Sequence, residues 1–331
     1  MRVQRSNMSK FKLFTFIILC LFALNCFSAV PVTVINTYSV QDYNKVLTND
    51  IIGLDQQKNP LKKELQASAL FLGKPYVLFP NGEGATAIYD KSPLYQTAAF
   101  DCLTYVSTVM ALTLSHDLPQ FILLMKKINY KNGDVSFITR NHFTSTDFNI
   151  NNEKLGILKD ITPLIKTRDE KSVAINIKTV INKSQWLKTI SAERIKVFKY
   201  PGNQSAKKLL TQLQSLAPQM KIASANVAVI PLRGVLYNFG GEANLYLFNQ
   251  IPAGAIVEIV ELNPNKNATF NALAITHLGI AVPSSHGMLF REASSIHHKV
   301  TDVPLIGYLR GYLANRIQYA IHIEVINRNV G

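Results

Sequence analysis

The chain has little cysteine: three in 331 residues, two of which, Cys20 and Cys26, lie in or beside an N-terminal apolar run. That scarcity excludes a disulfide framework and leaves one thiol, Cys102, to the body of the protein. Acidic residues are also few, 21 against 35 Lys and Arg, giving a net charge of +14. Long apolar stretches are missing beyond residues 13–24, which fall short of the roughly 20 residues a membrane-spanning helix needs. There is no internal repeat and no low-complexity tract, so solenoids and disordered arrays are excluded. With a single tryptophan, and no aromatics set among basic residues as a stacking motif, nucleic acid is not an expected partner.

What is present begins with a secretory pattern over residues 1–28. Arg2, Arg5, Lys10 and Lys12 precede the apolar run, and Cys26-Phe27-Ser28 offers small residues for cleavage. The expectation is an exported protein, acting in the periplasm, at the cell envelope or outside the cell. A lipoprotein anchored through Cys26 is the rival reading, disfavoured by the bulk of Asn25. Removing those four basic residues leaves +10, and the excess is local. Between residues 166 and 208 stand eleven Lys or Arg against Asp169, Glu170 and Glu193. Such a face attracts anionic envelope surfaces, or is simply solvated.

After an N-terminal arm at 29–60, one domain is expected over 61–331, interrupted by a basic insertion around 166–221. Apolar spacing predicts helices over 60–72, with Gly73 as the stop, and over 118–128, with Pro119 in the first turn. Asn132-Gly133 predicts a hairpin over 130–139. Short β-branched runs at 225–231, 255–260, 277–282, 288–293 and 321–326, separated by Gly, Pro and Asn turns, predict an antiparallel sheet. Helices followed by a sheet make the class α+β.

Cys102 follows Asp101 at the start of a segment whose Leu103, Val106, Val109 and Met110 share a helical face. Unpaired N–H groups and the positive end of the helix dipole favour a thiolate there, and a thiolate is a nucleophile. The alternative is that Cys102 is a small buried hydrophobe. A base for it is available in the sheet. His277 starts one strand and Glu292 lies on the next, past a turn at 283–287, so the two can meet across the pair and the carboxylate can orient the imidazole. Arg291 alternates to the other face and reads as structural. His116, His286, His297, His298 and His322 show no convincing ligand spacing, so no metal and no other cofactor is expected.

Gly73-Lys74-Pro75-Tyr76, Asp101-Cys102, His277-Leu278-Gly279-Ile280-Ala281-Val282 and Glu292-Ala293-Ser294 resemble, in order, the landmarks of the NlpC-type cell-wall cysteine peptidases, which have a papain-like fold. Further stretches, among them Arg140-Asn141-His142-Phe143, Asp160-Ile161-Thr162 and Ile251-Pro252-Ala253-Gly254, are similar to the N-acetylmuramoyl-L-alanine amidase-like branch, formerly of unknown function. The resemblance implies a nucleophile, Cys102, at the N-terminus of a helix packed on an antiparallel sheet, with His277 as base. Glu292 stands in the third place, where members often carry His. It implies substrate or oxyanion roles for Tyr76, Asp101, Arg140 and His142.

The activity implied is hydrolysis of a peptidoglycan or muropeptide amide, between N-acetylmuramic acid and L-alanine, through a thioester on Cys102 and a Cys-His-Glu triad. The alternatives are a stem-peptide endopeptidase cutting after D-glutamate, acyl transfer, and a cell-wall binding protein without activity.

Overall fold

In this computed structural model residues 40–191, 206–262 and 274–329 are described. The expected signal peptide lies outside them, as do Arg194, Lys196 and Lys199 of the basic segment.

Side-chain caps and proline mark where the helices start. After α1 (Val40–Asp55), Asn59 accepts a hydrogen bond from the Lys62 N–H and Pro60 occupies the first turn, opening α2 (Pro60–Ala69). Asp101 caps α3 (Cys102–Leu114), and Asp117 caps α4 (Leu118–Asn129), which carries Pro119 in its first turn. Every residue of α3 from Tyr105 to Leu114 is buried, so this helix is covered on all sides rather than along one stripe. The hairpin expected over 130–139 is not formed. Asn132 and Gly133 do take positive φ, but in a single 3-10 turn, and only Tyr130 and Arg140 bridge across it.

A short helix α5 (Asn149–Lys154) leads to strand β1 (Leu158–Asp160). The 166–221 region supplies β2 (Ile175–Asn182), α6 (Lys183–Thr189) and α7 (Ala206–Ser215). Then follow β3 (Ile222–Pro231), α8 (Leu245–Phe248), β4 (Ile256–Glu261), β5 (Ile275–Ser284), β6 (Gly287–Ser294), β7 (Lys299–Pro304), α9 (Leu305–Gly311) and β8 (Tyr319–Ile326). All pairings are antiparallel, in the order β2-β3-β8-β4-β5-β6-β7, with β1 on β8.

The central strands are covered on both faces, so β4 and β8 are buried along nearly their whole length rather than at alternate residues. One face, through Ile256, Leu278 and Ile280, packs against α1 to α4, with Leu47, Phe71, Phe100, Tyr105, Met110 and Phe121. The other, through Val257, Ile259, Phe290 and Ile321, packs against Tyr237, Phe248 and Leu309 of the later segments. The expected α+β arrangement, a cysteine-bearing helix on an antiparallel sheet in the papain-like manner, is what the chain adopts.

Candidate functional site

The helix start and the sheet converge on one half-buried group of side chains. Cys102 is the first residue of α3 and is partly exposed. His277, near the start of β5, shares a hydrogen bond with the Cys102 side chain and another, through Nε2, with Oε2 of Glu292. Glu292 on β6 is 2 % exposed. Its Oε2 also accepts from the Tyr308 hydroxyl at 3.5 Å, and that hydroxyl lies 3.1 Å from the one of Tyr312. Burial works against a charged imidazole, yet the hydrogen bonds to Cys102 and Glu292 outweigh it and push His277 up to about 10. The ring therefore carries its proton at neutral pH. Gly279 helps to aim it. A Cβ there would lie 2.6 Å from the Arg291 carbonyl oxygen and from the Phe290 ring, so only glycine lets that ring settle where His277 packs edge-on against it, 5.8 Å between centroids.

Asp101 is committed to structure. One carboxylate oxygen accepts the Thr104 N–H at 2.8 Å, the other accepts the Phe79 N–H at 2.9 Å, and the Thr104 hydroxyl returns to the Asp101 N–H, closing a capping box. Phe79 is held at a φ of 53°. Asp101 thus fixes both the cysteine and the incoming 75–100 loop. Tyr76, expected at the site, runs in that loop beside Phe100 and bonds through its N–H to the His298 carbonyl. Asp101→Ala is expected to cost about 1–2 kcal/mol, as loss of an N-cap does, read as a lower urea midpoint with unchanged slope.

Arg140 and His142 make their contacts elsewhere. The Arg140 guanidinium pairs with Glu83 and, at 3.0 Å, with Asp90, both buried in the loop below. His142 bonds through Nε2 to the Phe137 carbonyl at 2.6 Å and its ring lies 4.7 Å from that of Trp186. Arg291 is structural as expected. It grips Asp302 of β7 with two bonds and Ser68 of α2 with a third. Tyr308, which touches Glu292, was not legible as a site residue, because nothing in its local pattern ties α9 to β6.

A second constellation overturns the mechanistic expectation. Glu153, His322 and Glu324 each present one ligand atom, all within 4.8 Å of one another, and the last two are buried. One imidazole with two carboxylates is a donor set that suits a divalent metal ion. The chain was expected to be a cysteine-dependent enzyme, working through a Cys-His-Glu triad and a thioester, with His322 outside any ligand group. With a metal-type donor set in its core, that route is not retained. The alternation His322-Ile323-Glu324 on one strand does place both side chains on one face, a signal present in the sequence. Glu153 arrives from α5, which no local pattern connects to β8.

The profile described as AmiA-like, N-acetylmuramoyl-L-alanine amidase-like, matches residues 66–313. A Legionella pneumophila protein from a family of unknown function is 36% identical, superposes with a TM-score of 0.82, and is matched over 86% of this chain and 95% of its own. An N-acetylmuramoyl-L-alanine amidase from Bacteroides uniformis shares the fold, with a TM-score of 0.54 at 20% identity over 81% of this chain and 98% of its own. No curated protein matches. The chain belongs to the N-acetylmuramoyl-L-alanine amidase-like family, within the NlpC-type, papain-like superfamily.

Proposed function

We propose that this protein is an exported hydrolase that cuts an amide of peptidoglycan, between the lactyl group of N-acetylmuramic acid and L-alanine. The observation that carries the reading is the His277 imidazole, hydrogen-bonded to the buried Glu292 carboxylate beside the partly exposed Cys102. The family match and the amidase sharing the fold give the substrate class. In this reading His277 gives its proton to the leaving nitrogen as the C–N bond breaks, and Glu292 keeps the ring aligned. The N–H of Cys102, at the very start of α3, can receive the carbonyl oxygen, with the Cys102 side chain and Tyr76 lining the approach. Water supplies the hydroxyl of the released acid, and its remaining proton returns to His277. Lys and Arg of the 166–208 segment would hold the protein near anionic envelope components.

The test is a digest of purified muropeptides followed by mass spectrometry. Release of stem peptides that begin with L-alanine, absent with His277→Gln, is expected. Cleavage after D-glutamate would move the scissile bond and overturn this assignment, and unaltered muropeptides retained on the protein would replace hydrolysis with binding.

A further inference from the structure

Beneath α5, the middle of the sheet carries charge where apolar residues would be expected. Glu258 is 1 % exposed and stands between Val257 and Ile259 of β4, directly across the ladder from His322 of β8. Glu324 is fully buried two residues further along β8, opposite Asp160 of β1. Burying two carboxylates is costly unless cations or donors meet them. Donors are few. Glu258 accepts from the Asn149 amide at 3.0 Å through Oε2, while its Oε1 is buried with no donor. Glu324 meets His322 through Oε1, and its Oε2 has no donor either, its neighbour being another carboxylate, Glu153. The Asn149 Oδ1 is a third buried acceptor without a donor. Acceptors thus exceed donors around a single imidazole, and the surplus points to a cation.

His322 is oriented as a ligand would be. Its Nδ1 lies 2.7 Å from the Ala228 carbonyl oxygen, an acceptor only, so Nδ1 carries the proton and donates it there. Thr162 adds a hydroxyl at 3.0 Å from the same nitrogen. Nε2 donates to the Glu324 carboxylate, 3.2 Å from Oε1, so an ion bound there would take the place of that proton. A backbone carbonyl that fixes the far nitrogen is the usual support of a metal-bound histidine. Access is also provided, since Glu153 is exposed while its two companions are buried.

We propose that Glu153, His322 and Glu324, backed by the Glu258 carboxylate, bind one divalent first-row transition ion. One nitrogen with carboxylate oxygens suits zinc or its neighbours better than calcium, which takes oxygen ligands throughout. The ion ties α5 to the central strand β8, so binding strengthens the fold.

The test uses the full-length mature chain, stripped with a chelator, re-equilibrated with zinc sulfate, desalted, and read by elemental mass spectrometry and thermal melting. One zinc per chain and a raised melting temperature are expected. Glu153→Gln, on the surface and without consequence for packing, and the isosteric Glu324→Gln should each weaken zinc retention about tenfold or more, while His116→Ala, an exposed histidine paired with Asp55, should not. Manganese in place of zinc tests the class of ion, with the same dependence on Glu153 expected. A wild-type chain that retains no stoichiometric ion, or Gln variants that retain zinc as the wild type does, overturns the proposal. The reading of the His277 site is untouched by either outcome, because no substrate is present.

Discussion

Glu292→Gln is expected to slow muropeptide hydrolysis by about 10²–10⁴-fold, the usual worth of a positioned acid–base group, while the protein stays folded. Glutamine keeps the volume at a position that is 2 % exposed and can still accept from Tyr308, so the packing of β6 survives. What is lost is the charge that holds the imidazole. His277 stands at about 10 because its bonds to Cys102 and Glu292 overcome the effect of burial. Without the carboxylate, burial gains and the ring releases its proton at lower pH.

The expected signature is therefore a pH profile. In the unaltered protein the rate holds through neutral pH and falls as His277 loses its proton near 10. In the variant that fall moves to lower pH. Stability follows the same group. A histidine raised above its ordinary 6.5 contributes fully below that value and loses its contribution as pH rises through about 10. The variant's deficit in urea denaturation should accordingly shrink toward high pH. Unchanged turnover, or a profile that does not move, would remove Glu292 as the orienting group and pass the role to another residue, with Tyr308 the first to examine.

Much of this arrangement was legible in the sequence, and the reason is local. Asp101 three residues before Thr104 announces a helix start, and Asn59-Pro60 and Asp117-Leu118-Pro119 announce two more, because a cap uses neighbours in the chain. Strands rich in Val and Ile between Gly and Pro turns gave β3 to β6 and β8, whereas β7, Lys299–Pro304, carries Lys299, Thr301 and Asp302 and shows no such run. The hairpin at Asn132-Gly133 failed because the turn chemistry is correct but no apolar strands flank it.

The site divides the same way. His277 and Glu292 come from strands adjacent in both sequence and space, so a hairpin argument reaches them. Arg140 and His142 follow the family pattern, yet their partners Glu83, Asp90 and Phe137 are set by loop packing that no periodicity encodes. The Glu153, His322 and Glu324 group joins segments about 170 residues apart. Glu258 was the available clue, a charge between Val257 and Ile259, which by itself does not name its partners.

The largest loss of stability is expected from Arg140→Met. The guanidinium holds two carboxylates, Glu83 and Asp90, whose side chains are 3% and 1% exposed. Methionine preserves much of the volume and the contact with Phe137, over whose ring the guanidinium sits at 5.5 Å. It leaves both acids buried without a cation, which costs about 3–5 kcal/mol when one partner of a buried pair is removed. The loop has no room to rearrange around them, since even a Cβ at Gly82 would lie 2.5 Å from the Asp90 carboxylate. Burial already pushes Glu83 up to about 7, with Arg140 opposing it. Between 4.5 and that value the folded protein keeps a proton that the unfolded chain has released, so stability falls as pH rises across the window. Removing Arg140 takes away the opposing charge and widens it. Urea denaturation should show a larger penalty at pH 8 than at pH 5, and Glu83→Gln with Asp90→Asn in the same chain should recover a large part of it. A variant that melts like the unaltered protein at both pH values while its KM for muropeptide rises would instead put Arg140 in the substrate cleft, as the family resemblance implies.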